Sequence, residues 1–163
     1  MIHNTKNIRI PYDGTPVVFD LIKGEKMPDV TGLGDVKIAL LRTPPKVERG
    51  GRQPYDWVAK IETIDGGLIE SKDEMMFLAP ESGYAPQLEI KMDRTALDWS
   101  PNRQISVYLR SRGGKVFGRV SFEFRTDSDR ETTGFTFDAY INPAGSRILE
   151  FDSAKQIDPA SLQ

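Results

Sequence analysis

The chain contains no cysteine. That absence removes disulfide staples, thiolate nucleophiles, iron–sulfur clusters and cysteine zinc sites in one step. It leaves the compartment open, because chains of either side of a membrane can lack the residue. Histidine is nearly missing too. His3 is the only one, placed at an N-terminus expected to fray. Ser-His-Asp and Cys-His catalysis each need a positioned imidazole, so this composition argues against both, and it excludes a histidine-rich metal site. No apolar run approaches the roughly 20 residues of a membrane span. The opening "MIHNTKNIRIPYDG" has neither a basic segment nor the apolar segment of a signal peptide. It starts almost directly on strand-like sequence, as a piece cut from a longer exported chain would. An excess of one charge is also lacking. The 22 Lys and Arg face 24 Asp and Glu, a formal net charge of -2, so no bulk field draws nucleic acid or an anionic membrane.

What remains is an ordinary globular composition. With 163 residues, 38% hydrophobic and 28% charged, the chain is too apolar for disorder and suits a single domain over 1–163. Its recurring period is two. In "ISVYLR" (105–110), Ile105, Val107 and Leu109 alternate with polar or amphipathic neighbours. In "VFGRVSFEFR" (116–125), Val116, Val120, Phe122 and Phe124 share one face. "GFTFDAYI" (134–141) aligns Phe135, Phe137, Ala139 and Ile141. "VKIALL" (36–41), "WVAKIETI" (57–64) and "QLEIKM" (87–92) follow the same rule less cleanly. "TPVVFDL" (15–21) and "SRILEF" (146–151) supply strands at the two ends. Such alternation marks half-buried antiparallel strands. The 14 Gly and 11 Pro leave no uninterrupted helical pattern, and one short helical turn is expected around Ser71 to Phe77. The longest loop runs from Pro44 to Pro54. About eight short strands at regular spacing predict an all-β, antiparallel two-sheet sandwich, Ig-like or jelly-roll-like, with at most one short helix.

The most motif-like stretch is "SRGGKVFGRVSFEFR" (111–125). A phosphate loop would need Ser or Thr after Lys115 and then a helix, yet Val116 and a strand follow. The hairpin reading passes a register test. If Gly113-Gly114 is the turn, opposed residues sum to 227, so Leu109 meets Gly118, Val107 meets Val120 and Ile105 meets Phe122. All apolar residues then share one face, and Gly-Gly supplies the positive φ that primed turns require.

The other face of that hairpin carries candidate ligand-binding residues. Tyr108 would oppose Arg119, and Arg110 would oppose Phe117, two potential cation–π pairs. A basic ribbon interleaved with aromatics can bind single-stranded nucleic acid. The acidic neighbours and the slightly negative net charge argue instead for a solvated sheet face. Two Asp-Trp pairs, "YDWVA" and "LDWSP", suggest sugar stacking; Trp57 is in phase with Ala59 and Ile61 and belongs to the core, leaving Trp99 as the exposed candidate. "RTDSDRETTG" places Asp127, Asp129 and Glu131 at alternate loop positions, which suits a hard cation such as Ca²⁺, although the EF-hand glycine and closing Glu are missing. No other cofactor is indicated. Carboxylates are numerous enough for a glycosidase pair, and nothing singles out two of them.

The runs "DWSPNRQISVYLRSRGGKVFGRVSFEFR", "GFTFDAYINPAGSRILEFD" and "APESGYAP" are similar to β-rich C-terminal modules of large exported bacterial proteins of the carboxypeptidase-regulatory-like (Ig-like) type. That resemblance covers roughly the last half of the chain. It implies a non-catalytic structural or binding module, extracytoplasmic, whose partners are neighbouring domains of a parent polypeptide or another protein. The alternatives are a carbohydrate-binding module using Trp99 and a carboxylate-based hydrolase. The open edges of a sandwich add self-pairing, which calls for a flat edge poor in Lys and Pro.

Overall fold

Alternating side chains decide the architecture. In the computed structural model, which describes residues 1–28, 34–44, 46–48, 51–128 and 131–162, every strongly alternating segment is a strand. In chain order these are β1 (Ile2–Pro11), β2 (Val17–Asp20), β3 (Glu25–Lys26), β4 (Val36–Arg42), β5 (Val47–Glu48) and β6 (Gly51–Arg52). They continue with β7 (Trp57–Thr63), β8 (Gly67–Ser71), β9 (Gln87–Met92), β10 (Asn102–Ser111), β11 (Val116–Arg125) and β12 (Thr132–Asn142). Two antiparallel five-stranded sheets pack as a sandwich, in the orders β1-β12-β11-β10-β8 and β3-β2-β4-β7-β9, and β5-β6 forms a separate hairpin within the long loop.

The central hairpin has the register that the apolar pattern dictates. Leu109 pairs with Gly118, Val107 with Val120 and Ile105 with Phe122. Gly113 and Gly114 hold φ of +67° and +82°, and Arg112 joins them on the left-handed side at +53°, so the turn tightens into a short 3-10 segment, Arg112–Gly114. The tip docks on a second glycine turn. Gly113 N donates to Asp65 O at 3.1 Å, and a Cβ on Gly66 would lie 1.9 Å from the Arg110 carbonyl oxygen. Only glycine permits that approach.

Between the sheets lies a core led by aromatic rings. Phe19, Phe122, Phe124, Phe135 and Phe137 are sealed from water, as is Trp57. The Phe135 ring is within 6.4 Å, centroid to centroid, of four other phenylalanines. Offset and tilted ring pairs of this kind add to plain area burial.

Three local expectations are corrected. His3 is not frayed: it lies in β1, opposite Tyr140 of β12. Residues 72–77 form no helical turn; the segment is irregular, and Met76 and Ala79 are buried against the sheet. "SRILEF" joins no sheet; it touches Leu78 through a single bridge at Ile148 and crosses the sandwich as a strap. Among the described residues no helix is long and apolar enough to cross a membrane.

Because Phe135 stands at the centre of the ring cluster, Phe135→Ala should cost about 3–5 kcal/mol in urea unfolding. A loss below about 1 kcal/mol would mean that the neighbouring rings collapse into the space.

Candidate functional site

The outward face of β10, β11 and β12 was expected to be wet, and much of it is covered. Segments around Met76–Tyr84 and Leu149 lay a second apolar layer on it: Met76, Ala79, Tyr108, Phe117 and Leu149 are buried together, with Ile69 and Tyr84 against them. Backbone bonds fasten this cover, Leu149 N to Phe77 O at 2.7 Å and Ala79 N to Arg147 O at 2.8 Å. Tyr108 opposes Arg119 and Arg110 opposes Phe117, as the register requires. The cations choose other rings, however. Arg110 lies over Tyr84 at 4.8 Å, while Arg119 lies over Tyr140 at 4.3 Å and Phe77 at 5.8 Å. All three rings come from outside the hairpin, which single-strand register arguments could not foresee.

Arg119 lines a 250 Å³ pocket with Asp73, Glu74, Ser106, Ser121 and Asp138. Its Nε is buried without a hydrogen-bond partner. Beside it, His3 stacks on Tyr140 at 4.2 Å with its Nε2 2.7 Å from Asp138 Oδ1. Thr5 Oγ1 donates to the same Asp138 oxygen at 2.5 Å and lies 3.3 Å from the same His3 nitrogen. Nucleophilic activation needs the imidazole between acid and hydroxyl, one on each ring nitrogen. Here both meet a single nitrogen, so the constellation works as a hydrogen-bonded cluster. Burial pushes the Tyr84, Tyr108 and Tyr140 phenols above the ordinary tyrosine value.

Trp99 is held rather than offered. Its ring meets Tyr55 edge-on at 5.2 Å, and its Nε1 donates to Tyr55 O at 2.9 Å, closing the end of the core. Trp57 is fully buried and donates to Ser100 O. The neighbouring acid Asp56 is engaged by Arg94, whose Nε and Nη2 donate to it at 3.0 and 2.5 Å. These bonds hold the Asp56 carboxyl below the usual carboxylate range.

In the acidic loop, Glu131 is exposed and Asp129 lies outside the described residues. Asp127 has partners of its own. The base of the loop is occupied by a protein cation: the nearly buried Arg42 donates to Thr126 O and Ser128 O, with its guanidinium 4.0 Å over Tyr12 and 5.4 Å from Tyr55. Among the described residues no three His, Cys, Asp or Glu side chains are grouped to hold a metal ion.

The site that sequence reasoning missed is at the hairpin tip. Asp35, just before β4, has no exposed surface. Its Oδ1 accepts from Ser111 Oγ at 2.7 Å and Arg112 Nε at 3.0 Å; its Oδ2 accepts from Leu21 N at 2.9 Å and Arg112 Nη2 at 3.2 Å. Arg112 Nη2 also reaches Asp20 Oδ1 at 3.0 Å. Burial alone would lower the Arg112 pKa, but the bonds to Asp35 and Asp20 outweigh it and raise it. Above this cluster opens an 830 Å³ recess lined by Asp20, Lys23, Glu25, Arg112, Lys115 and Asp158 among others. Its charges of both signs largely oppose one another. The sequence signal was available only in part: "SRGG" marks a turn, but nothing in it points to an acid 76 residues away.

The chain matches no protein-family model, no curated protein and no solved structure.

Removing the Asp35 carboxylate strands Leu21 N, Ser111 Oγ and the Arg112 guanidinium, so Asp35→Ala should lose about 3 kcal/mol in chemical denaturation. Loss of less than about 1 kcal/mol would show that Arg112 turns to solvent without penalty. The tyrosines predict an alkaline effect. A raised folded-state pKa keeps its stabilisation below the unfolded value of 10.0 and loses it as pH rises through the folded value. In a 295 nm titration, the Tyr84, Tyr108 and Tyr140 phenols should ionise above the ordinary tyrosine value, with stability falling over that same range. Ordinary titration of these three would contradict their burial.

Proposed function

We propose that the chain is a non-catalytic binding or structural module, Ig-like, of a larger exported bacterial protein, and that it contacts a neighbouring domain through the cover over β10–β12. One observation carries the reading. Four of the six exposed large apolar side chains among the described residues, Met75, Phe77, Leu78 and Ile148, belong to the two segments that cross that sheet, brought together by the Leu78–Ile148 bridge. A soluble fold rarely gathers such side chains on one patch unless a partner covers them. The inner residues of the same segments, Met76, Ala79 and Leu149, already hold the cover in place, so the outer ones are available for contact. The resemblance of the second half of the chain to appended modules of exported proteins supports the same role. Trp99 offers less support for a carbohydrate role, because both its edge and its indole N–H serve Tyr55. The hydrolase reading finds its acids tied to cations, as Asp35, Asp20 and Asp56 are.

The test is to express the complete reading frame that contains these residues and compare it with the 163-residue chain. The product should be longer and recovered outside the cytoplasm. Hydroxyl-radical footprinting should find Met75, Phe77 and Leu78 less oxidised in it than in the isolated chain. A cytoplasmic product with unchanged oxidation at those side chains would overturn the reading.

A further inference from the structure

Among the described residues, four strands stand at the edges of the two five-stranded sheets: β1, β8, β3 and β9. Three are blunted. Asn4 in β1 donates to Leu21 O and Ile22 O at 2.9 and 2.7 Å, and the Gly24 turn packs on it. Leu68 in β8 exchanges both backbone bonds with Ala85. β3 is only two residues long. By contrast, β9 runs for six residues with no proline inside it, and among the described residues no backbone group bonds it from the side away from β7. An open row of N–H and C=O groups is a template for another strand.

The direction of that row can be derived. β7 and β9 pair with opposed residues summing to 149, and Thr63 N donates to Pro86 O at 2.9 Å in the same register. Bonded pairs in an antiparallel ladder recur at every second residue. Leu88, Ile90 and Met92 therefore direct their backbone groups to β7, and Gln87, Glu89 and Lys91 direct theirs outward. The side chains are sorted as well. Leu88 and Ile90 lean on the core but remain half-exposed, while Glu89 and Lys91 are exposed.

We propose that β9 pairs antiparallel with β9 of a second copy of this chain, centred on Ile90, so that the two sheets become one. Charge selects the register. Centring the two-fold axis on Glu89 sets Glu against Glu, and centring it on Lys91 sets Lys against Lys. Like charges directly opposed are destabilising. Centring it on Ile90 sets Glu89 of each copy opposite Lys91 of the other, twice, and these are residues whose backbone groups point outward. It also places Ile90 against its own copy and Leu88 against Met92, covering the half-exposed apolar side chains at the end of the core. The single lysine that would protect an edge strand thus becomes a pairing element, because its opposite number is an acid. This pairing uses a surface other than the one proposed for a neighbouring domain, so the failure of either leaves the other standing.

Sedimentation equilibrium of the 163-residue chain at increasing concentration tests it directly. The unaltered chain should show a monomer–dimer equilibrium. Lys91→Glu and Glu89→Lys should each weaken it at least about tenfold, a change of about 1.4 kcal/mol. The double swap, E89K with K91E, should restore it to within about threefold of the original, because the opposed charges are only exchanged. Hydrogen exchange provides a second readout that does not depend on any variant. Amides of Glu89 and Lys91 should gain protection with concentration, while those of Leu88 and Ile90, bonded to β7, stay protected throughout. A strictly monomeric profile up to about 1 mM would overturn the pairing. So would a dimer indifferent to the single swaps, or one that the double swap fails to restore.

Discussion

A carboxylate cut off from water must find all its donors within the fold, and Asp35 finds four, two on each oxygen. Those donors come from β2's end in one sheet and from the β10–β11 tip in the other. All are satisfied only when the two sheets dock in one relative position. Aromatic packing alone would tolerate a small slide of one layer over the other, since dispersion contacts are individually weak and non-directional. Hydrogen bonds to a buried charge do not tolerate it, because an unmatched donor or acceptor there is costly. The hairpin accepts strain to make the contact. Arg112 takes a left-handed conformation that costs a non-glycine residue roughly 1–2 kcal/mol, and its guanidinium then bridges Asp35 and Asp20.

The sandwich is also more than two layers. Alternation in β10 and β11 reads as one greasy face and one wet face, with Tyr108, Arg110, Phe117 and Arg119 on the wet side. The chain then folds its own 76–84 and 147–151 segments over that side, turning aromatic and cationic residues into a second small core. Arg110 and Arg119 survive there because each lies over a ring, which replaces part of the water that a guanidinium loses. The stretch of sequence that looked most like a ligand platform is therefore a platform for the protein's own chain.

The main alternating strands and the pairing of β10 with β11 were legible because they depend on a local period and a local turn. Gly113-Gly114 pins the register of β10 on β11, and Phe122, Phe124, Phe135 and Phe137 leave one choice of inward face. Residues 72–77 misled because Met76 is held by a long-range contact rather than by helical neighbours. His3 misled because its order comes from Tyr140 and Asp138, far along the chain. The Asp35 cluster was illegible for the same reason: its donors lie 14 to 77 residues from Asp35 in sequence. Trp57 was readable as core from its phase with Ala59 and Ile61. Trp99, outside any alternating run, gave no such phase, and only Tyr55 shows that it serves the interior.

One contact limits how this scaffold can vary. The bare backbone at Gly66 abuts the carbonyl of Arg110 so closely that the β7–β8 turn and the hairpin tip are interlocked. Neither loop can be lengthened, shortened or decorated without displacing its counterpart. Descendants of this sequence should therefore diversify elsewhere than at the glycine-rich tip that first catches the eye.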